Sequence, residues 1–87
     1  MLDLLRKKIN SIDLKILKLI SDRMSLSQKI KREKENAGLD IHDNQREKKV
    51  IANWQKNAFA QKLDSVFVKK LIKLIIRESK RIQRDRF

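Results

Sequence analysis

From Asp3 to Asn36 the chain has neither Gly nor Pro, and an apolar residue recurs at alternating spacings of four and three. The run is Leu5, Ile9, Ile12, Ile16 and Leu19, resumed by Leu26 and Ile30. This is a coiled-coil pattern, and it predicts one helix of about 33 residues, roughly 50 Å long. A compact monomer of 87 residues has a radius of gyration near ~12 Å. The helix therefore overshoots its own globule and carries an unpaired apolar stripe. Pairing with a second copy resolves the misfit, so the spacing predicts a homodimer.

Arg23 breaks the stripe: continuing the repeat from Leu19 lands on it. A buried cation without a partner costs several kcal/mol, so the position calls for an anion. Lys34 lies eleven residues on, about three turns, and returns to nearly the same face. Two cations converging on an apolar interior suggest a pocket for a small, multiply charged anion.

Composition narrows the alternatives. One Gly, no Pro and an abundance of Leu, Ile, Lys, Arg, Glu, Gln and Ala favour helices throughout. With no Cys and with His42 as the lone His, neither a thiolate site nor a metal site is expected, and no cofactor is implied. The amphipathic N-terminus lacks a signal-peptide apolar run, and no stretch approaches the ~20 apolar residues of a membrane span. A cytoplasmic protein is expected. The net charge of +12 fits a nucleic-acid binder or the steering of a small anion into a positive cleft.

Residues 1–87 read as a single domain of three helices, over about 3–36, 43–60 and 65–84. Asp3 is the expected cap of the first helix, and Gly38 its left-handed end. Asp43 suits the N-cap of a second helix carrying Val50, Ile51, Trp54 and Ala58 on one face. Asp64 or Ser65 caps a third, with Val68, Ile72, Ile75 and Ile76 as its stripe. Four further polar residues share or border these apolar faces: Arg6, Glu47, Ser79 and Gln83. Each has a plain explanation. Arg6 and Gln83 are solvated, Glu47 is a first-turn acid, and Ser79 bonds back to its own helix. Asp43 is then simply a cap and Arg46 simply exposed. Together, however, cations, a carboxylate, a hydroxyl and an amide face inward from three helices. The chain has no nucleophile–base pair and no Gly-rich phosphate loop. This inventory suits binding and electrostatic stabilisation rather than covalent or acid–base chemistry.

The segments carrying these residues resemble the all-helical chorismate mutases, the AroQ class. Leu5-Arg6-Lys7-Lys8-Ile9-Asn10-Ser11-Ile12-Asp13 is similar to that family's L-R-x-x-I-D-x-I-D opening. Leu19-Ile20-Ser21-Asp22-Arg23 follows, then Lys34 before Gly38. Ile41-His42-Asp43-Asn44-Gln45-Arg46-Glu47 matches I-x-D-x-x-R-E, and Leu74-Ile75-Ile76-Arg77-Glu78-Ser79 with Gln83 matches the end of the third helix.

The resemblance implies an intertwined dimer with two active sites that rearrange chorismate to prephenate, within phenylalanine and tyrosine biosynthesis. It implies substrate contacts from Arg6, Arg23, Lys34, Asp43, Arg46, Glu47, Ser79 and Gln83, with Arg6 reaching into the other protomer's site. Arg6 and Arg23 are 17 residues apart, about 26 Å along one helix, too far to hold one small molecule from a single straight helix, but an antiparallel partner could bring them together. Arg6 and Arg23 are expected to bind the two carboxylates, helped by Ser79 and Arg46. Lys34 and Gln83 donate to the ether oxygen, and Glu47 accepts from the ring hydroxyl with the backbone at Asp43 assisting. Asn10, Ser27 and Asp40 depart from the family's usual Asp, Ala and Pro. None is among the matched residues, so these departures bear on packing and loop rigidity. Two rivals remain: an isochorismate–pyruvate lyase of the same fold, disfavoured by Glu47 and the full I-x-D-x-x-R-E segment, and a basic helical nucleic-acid binder, which gives no reason for inward Glu47, Ser79 and Gln83.

Overall fold

The computed structural model describes residues 1–40 and 43–85, the last of these for its backbone only. Its helices are α1 (Leu2–Asn36), α2 (Asn44–Ala60) and α3 (Ser65–Asp85), with no strand among the described residues. The all-helical, three-helix reading holds. Ile41 and His42 lie outside the described residues. No described helix is long and apolar enough to cross a membrane.

Helix α1 begins one turn-position earlier than its expected cap. Met1 is the N-cap and makes no side-chain capping bond, while Asp3 sits inside the first turn. Asp3 therefore acts on the helix dipole rather than as a cap. Asp43 does cap α2, its carboxylate accepting from the Arg46 N–H at 3.0 Å. Asp64 accepts from Val66 and Phe67 N–H groups at 2.7 and 3.1 Å ahead of α3.

Both α1 and α2 end in the same double bond. Gly38 and Leu39 N–H groups donate to Glu35 and Lys34 carbonyls, and Lys62 and Leu63 do likewise to Phe59 and Ala58. The turn needs a left-handed residue after each helix. Gly38 supplies it at φ 70°, but at α2 the position is held by Lys62 at φ 59°.

The core lies between α2 and α3. Ala58 of α2 and Val68, Ile72 and Ile75 of α3 are its buried apolar residues, and Ile72 is completely buried. Helix α3 also packs on α1, while the described backbones of α1 and α2 do not approach closely. Helix α1 buries no residue fully. Its four-three stripe faces solvent, Ile9 at 57% and Leu19 at 66% exposure. The molecule is accordingly elongated, 55 × 28 × 16 Å with a radius of gyration of 15.9 Å, well above the ~12 Å of a compact chain this size.

A side chain at Lys62 costs about 1–2 kcal/mol in the left-handed region. Lys62→Gly removes that cost and loosens the unfolded chain, so a net gain of about 0.5–1 kcal/mol is expected in denaturant unfolding at fixed protein concentration. A loss of stability would mean that the Lys62 side chain makes a compensating contact.

Candidate active site

The half-buried positions of α1 include Ile20, Arg23, Met24, Ser27, Lys31 and Lys34. Their spacing draws one helical face, turned toward α3. It is rotated from the exposed stripe, and Arg23 stands where the two meet. From α3, Ser79 and Gln83, one turn apart, come to face it.

Ser79 is the one buried polar side chain among the described residues, at 8% exposure. It does not bond back to its own helix. The Arg23 Nη1 donates to its Oγ at 3.4 Å, and the Ser27 Oγ lies 3.5 Å from the same atom. The Ser79 hydroxyl itself points at the Met24 Sδ, 3.3 Å away. Gln83 donates through Nε2 to the Ser27 carbonyl at 3.0 Å. The Lys31 ammonium donates to the backbone carbonyl of Gln83 and lies 3.7 Å from Glu35.

No described carboxylate pairs with Arg23. Burial pulls its guanidinium below the ordinary arginine range, and the positive charge of Arg46 pulls it further. Arginine nonetheless stays protonated, so the two charges coexist. Lys34 is half-buried on the same α1 face and has no ion pair. The cluster is a set of cations and neutral donors with no described carboxylate on Arg23.

The remaining expected residues are placed as follows. Glu47, in the first turn of α2, is ion-paired to Lys80 of α3 at 2.5 Å. Asp43 is exposed and occupied as the α2 cap. Arg6 is exposed on α1 and is not brought to the cluster by its own chain. An open groove of about 770 Å³ runs beside α3 from Glu47 and Ile51 to Arg77 and Arg84. Neither Arg23 nor Ser79 lines it, so it is not the anion cluster.

Three participants were not singled out by sequence reasoning as site residues. Ser27 and Lys31 follow Arg23 at successive spacings of four, which is the signal that they share its face. Lys80 continues the Ile72–Ile76 row by another four residues, and so points at α2.

Comparison with known proteins bears directly on this arrangement. The family model described as chorismate mutase type II matches residues 5–84. The chain belongs to that family. It is an isomerase of the chorismate mutase class. A chorismate mutase of Methanocaldococcus jannaschii is 35% identical over 81 residues, 93% of this chain and 82% of that protein. A bifunctional chorismate mutase/prephenate dehydratase of Buchnera aphidicola is 42% identical over 77 residues, 85% of this chain but 19% of that longer protein. No solved structure gives a significant match.

An unneutralised, desolvated cation works against folding. Arg23→Met keeps the side chain's apolar stem, removes the charge and leaves no carboxylate stranded. Without ligand, the variant should unfold at the same or a higher denaturant concentration than the natural chain, a change of about 0 to +1 kcal/mol. A loss above about 1 kcal/mol would show that the Arg23–Ser79 bond outweighs the desolvation and repulsion.

Proposed function

We propose that this chain converts chorismate to prephenate in two equivalent sites of an intertwined homodimer. Each site is built mainly by one copy and completed by the partner subunit's Arg6. The observation that carries this reading is the unneutralised Arg23, beside Arg46 and bonded to buried Ser79, with Gln83 one turn away. The cytoplasmic location expected from the sequence belongs to the same proposal.

The reaction is an intramolecular Claisen rearrangement. One C–O bond breaks as one C–C bond forms, and no proton or group leaves the molecule. The enzyme must hold a compact conformer of a dianion and stabilise charge that separates as the C–O bond breaks. In this reading Arg23 and the partner subunit's Arg6 bind the two carboxylates, with Ser79 and Arg46 assisting. Lys34 and Gln83 donate to the ether oxygen, where negative charge develops. Glu47 accepts from the ring hydroxyl, next to the backbone of Asp43. Held by Lys80, it keeps that role only if the ion pair opens or shares its second oxygen.

The exposed stripe of α1 supports the dimer. Its residues from Leu5 to Ile30 are about half exposed or more. Burying the remainder in both copies would contribute on the order of 10 kcal/mol or more, enough to offset an association cost of about 4–15 kcal/mol. An apolar hollow at Trp54, Phe67 and Leu71 adds further unpartnered surface.

The first test is loss of chorismate absorbance with prephenate as product. Arg23→Ala should lower kcat/KM by about 10²–10³-fold, as for loss of a main charge-stabilising donor. Protein that binds no chorismate and leaves it unchanged would end the reading. Because Gln83 is a neutral donor, turnover should stay flat from about pH 6 to 8. A sharp fall across that interval would count against its role.

The shared site has its own test. Arg6→Ala and Arg23→Ala chains should each be nearly inactive, yet co-refolding them in equal amounts should restore activity. Half of the dimers would be mixed, each with one intact site, giving about a quarter of native activity. No recovery despite confirmed mixed dimers would place both arginines in one chain's site.

A further inference from the structure

We propose that Lys31 is a positioning residue for Gln83, holding its amide as a hydrogen-bond donor to the reacting ether oxygen. The inference rests on the proposed role of Gln83 and extends it to a residue with no assigned part in the reaction.

Gln83 lies in the last turn of α3, which ends at Asp85. Its carbonyl is one of the last four of that helix, for which the helix supplies no N–H donor. The Lys31 ammonium takes that carbonyl from across the interface. It also places a cation at the negative end of α3. Lys31 is well suited to hold this position. Its side chain is 13% exposed, and its second acceptor, Glu35, is on its own helix at 3.7 Å.

The return contact runs the other way. The Gln83 Nε2 donates to the Ser27 carbonyl at 3.0 Å. By the α-helical pattern, that same carbonyl accepts the backbone N–H of Lys31. Lys31 therefore anchors both ends of the contact, through its side chain to the Gln83 backbone and through its backbone to the acceptor of the Gln83 side chain. A carbonyl can only accept, so the Gln83 amide must present nitrogen, not oxygen, toward α1. One Nε2 hydrogen is used there, and the other remains to donate. Without the Lys31 ammonium, the terminal turn of α3 loses its backbone tie to α1, and the Ser27 bond alone is left to keep the amide from turning. Once turned, its oxygen would repel a developing negative charge.

The experiment compares Lys31→Met, Lys31→Arg and Gln83→Ala, singly and combined. Lys31→Met keeps the length and removes the donor. It should lower kcat by about ten- to a hundredfold while KM changes less than about twofold, because misplacement affects the transition state rather than dianion binding. Lys31→Arg should restore most of the loss. In the Gln83→Ala background, Lys31→Met should cost nothing further. An unchanged kcat, or a loss that multiplies with that of Gln83→Ala, would overturn the proposal. A KM rise with constant kcat would also overturn it, by making Lys31 a direct substrate contact. Nuclear magnetic resonance of the Gln83 side-chain amide gives a readout that does not depend on activity. Its protons should exchange slowly with water and lie away from the free-glutamine shifts in the natural chain, and should exchange fast at near-free shifts in Lys31→Met. If they do so in a protein that leaves chorismate unchanged, the positioning stands and the functional reading fails.

Discussion

The bond between the Arg23 guanidinium and the buried Ser79 hydroxyl is the contact on which the rest depends. It crosses from α1 to α3 where a coiled-coil pattern asks for a Leu or Ile. The hydroxyl satisfies a hydrogen bond but neutralises nothing. Arg23 is partly desolvated, and Arg46, whose charge acts on it, has the same sign. A chain selected only to fold has no use for this arrangement, because an apolar residue there avoids both costs. Under the proposed function the arriving dianion compensates the unmet charge, and folding energy is held back for binding.

Placing that charge requires α1 to present two faces. One, through Met24, Ser27 and Lys31, packs on α3 and shapes the site. The other, through Leu5, Ile9, Ile12, Ile16 and Leu19, is open. Arg23 sits on their border, within reach of groups on α3 and of anything that covers the stripe. A shorter helix would serve the first face alone. The 35-residue length fits the proposed dimer, in which the far end, with Arg6, also has a place to act.

Much of this was legible in the sequence, for identifiable reasons. The helices follow from periodicity, helix-favouring composition and a few strong boundary residues: Gly38, Asp43 and Asp64 each act through local bonds or a dihedral. Arg23, Ser79 and Gln83 could be read as inward because each interrupts an apolar row. Other features were hidden. Asp3 looked like a cap, but one further residue, Met1, already takes the helical start. Nothing in the sequence announces that Lys62 ends α2 in a left-handed conformation, because Lys is not a residue that favours it. The Glu47–Lys80 and Lys31–Gln83 contacts join residues 33 and 52 positions apart, and their partners depend on how three helices are docked. A lysine in a chain with 23 Lys and Arg carries no local mark separating a desolvated clamp from a solvated surface charge.

That last point also bears on the net charge of +12. Exposed lysines act through water and salt, and beyond about 8 Å at physiological ionic strength their attraction is largely screened. They can raise the rate at which a dianion arrives, but they cannot select its shape. Selection needs donors fixed in direction and shielded from solvent, where each charge–dipole contact is worth more. Among the described residues, the groups between α1 and α3 fit that description well: Arg23, Ser79, Gln83 and the lysine that tethers it. The division of labour fits a reaction without proton transfer. In the proposed mechanism permanent cations hold the carboxylates, whereas a neutral amide can donate to an oxygen that becomes negative without first having to lose or gain a proton. Substituting a carboxylic acid for Gln83 would bring a pH limit to chemistry that otherwise has none.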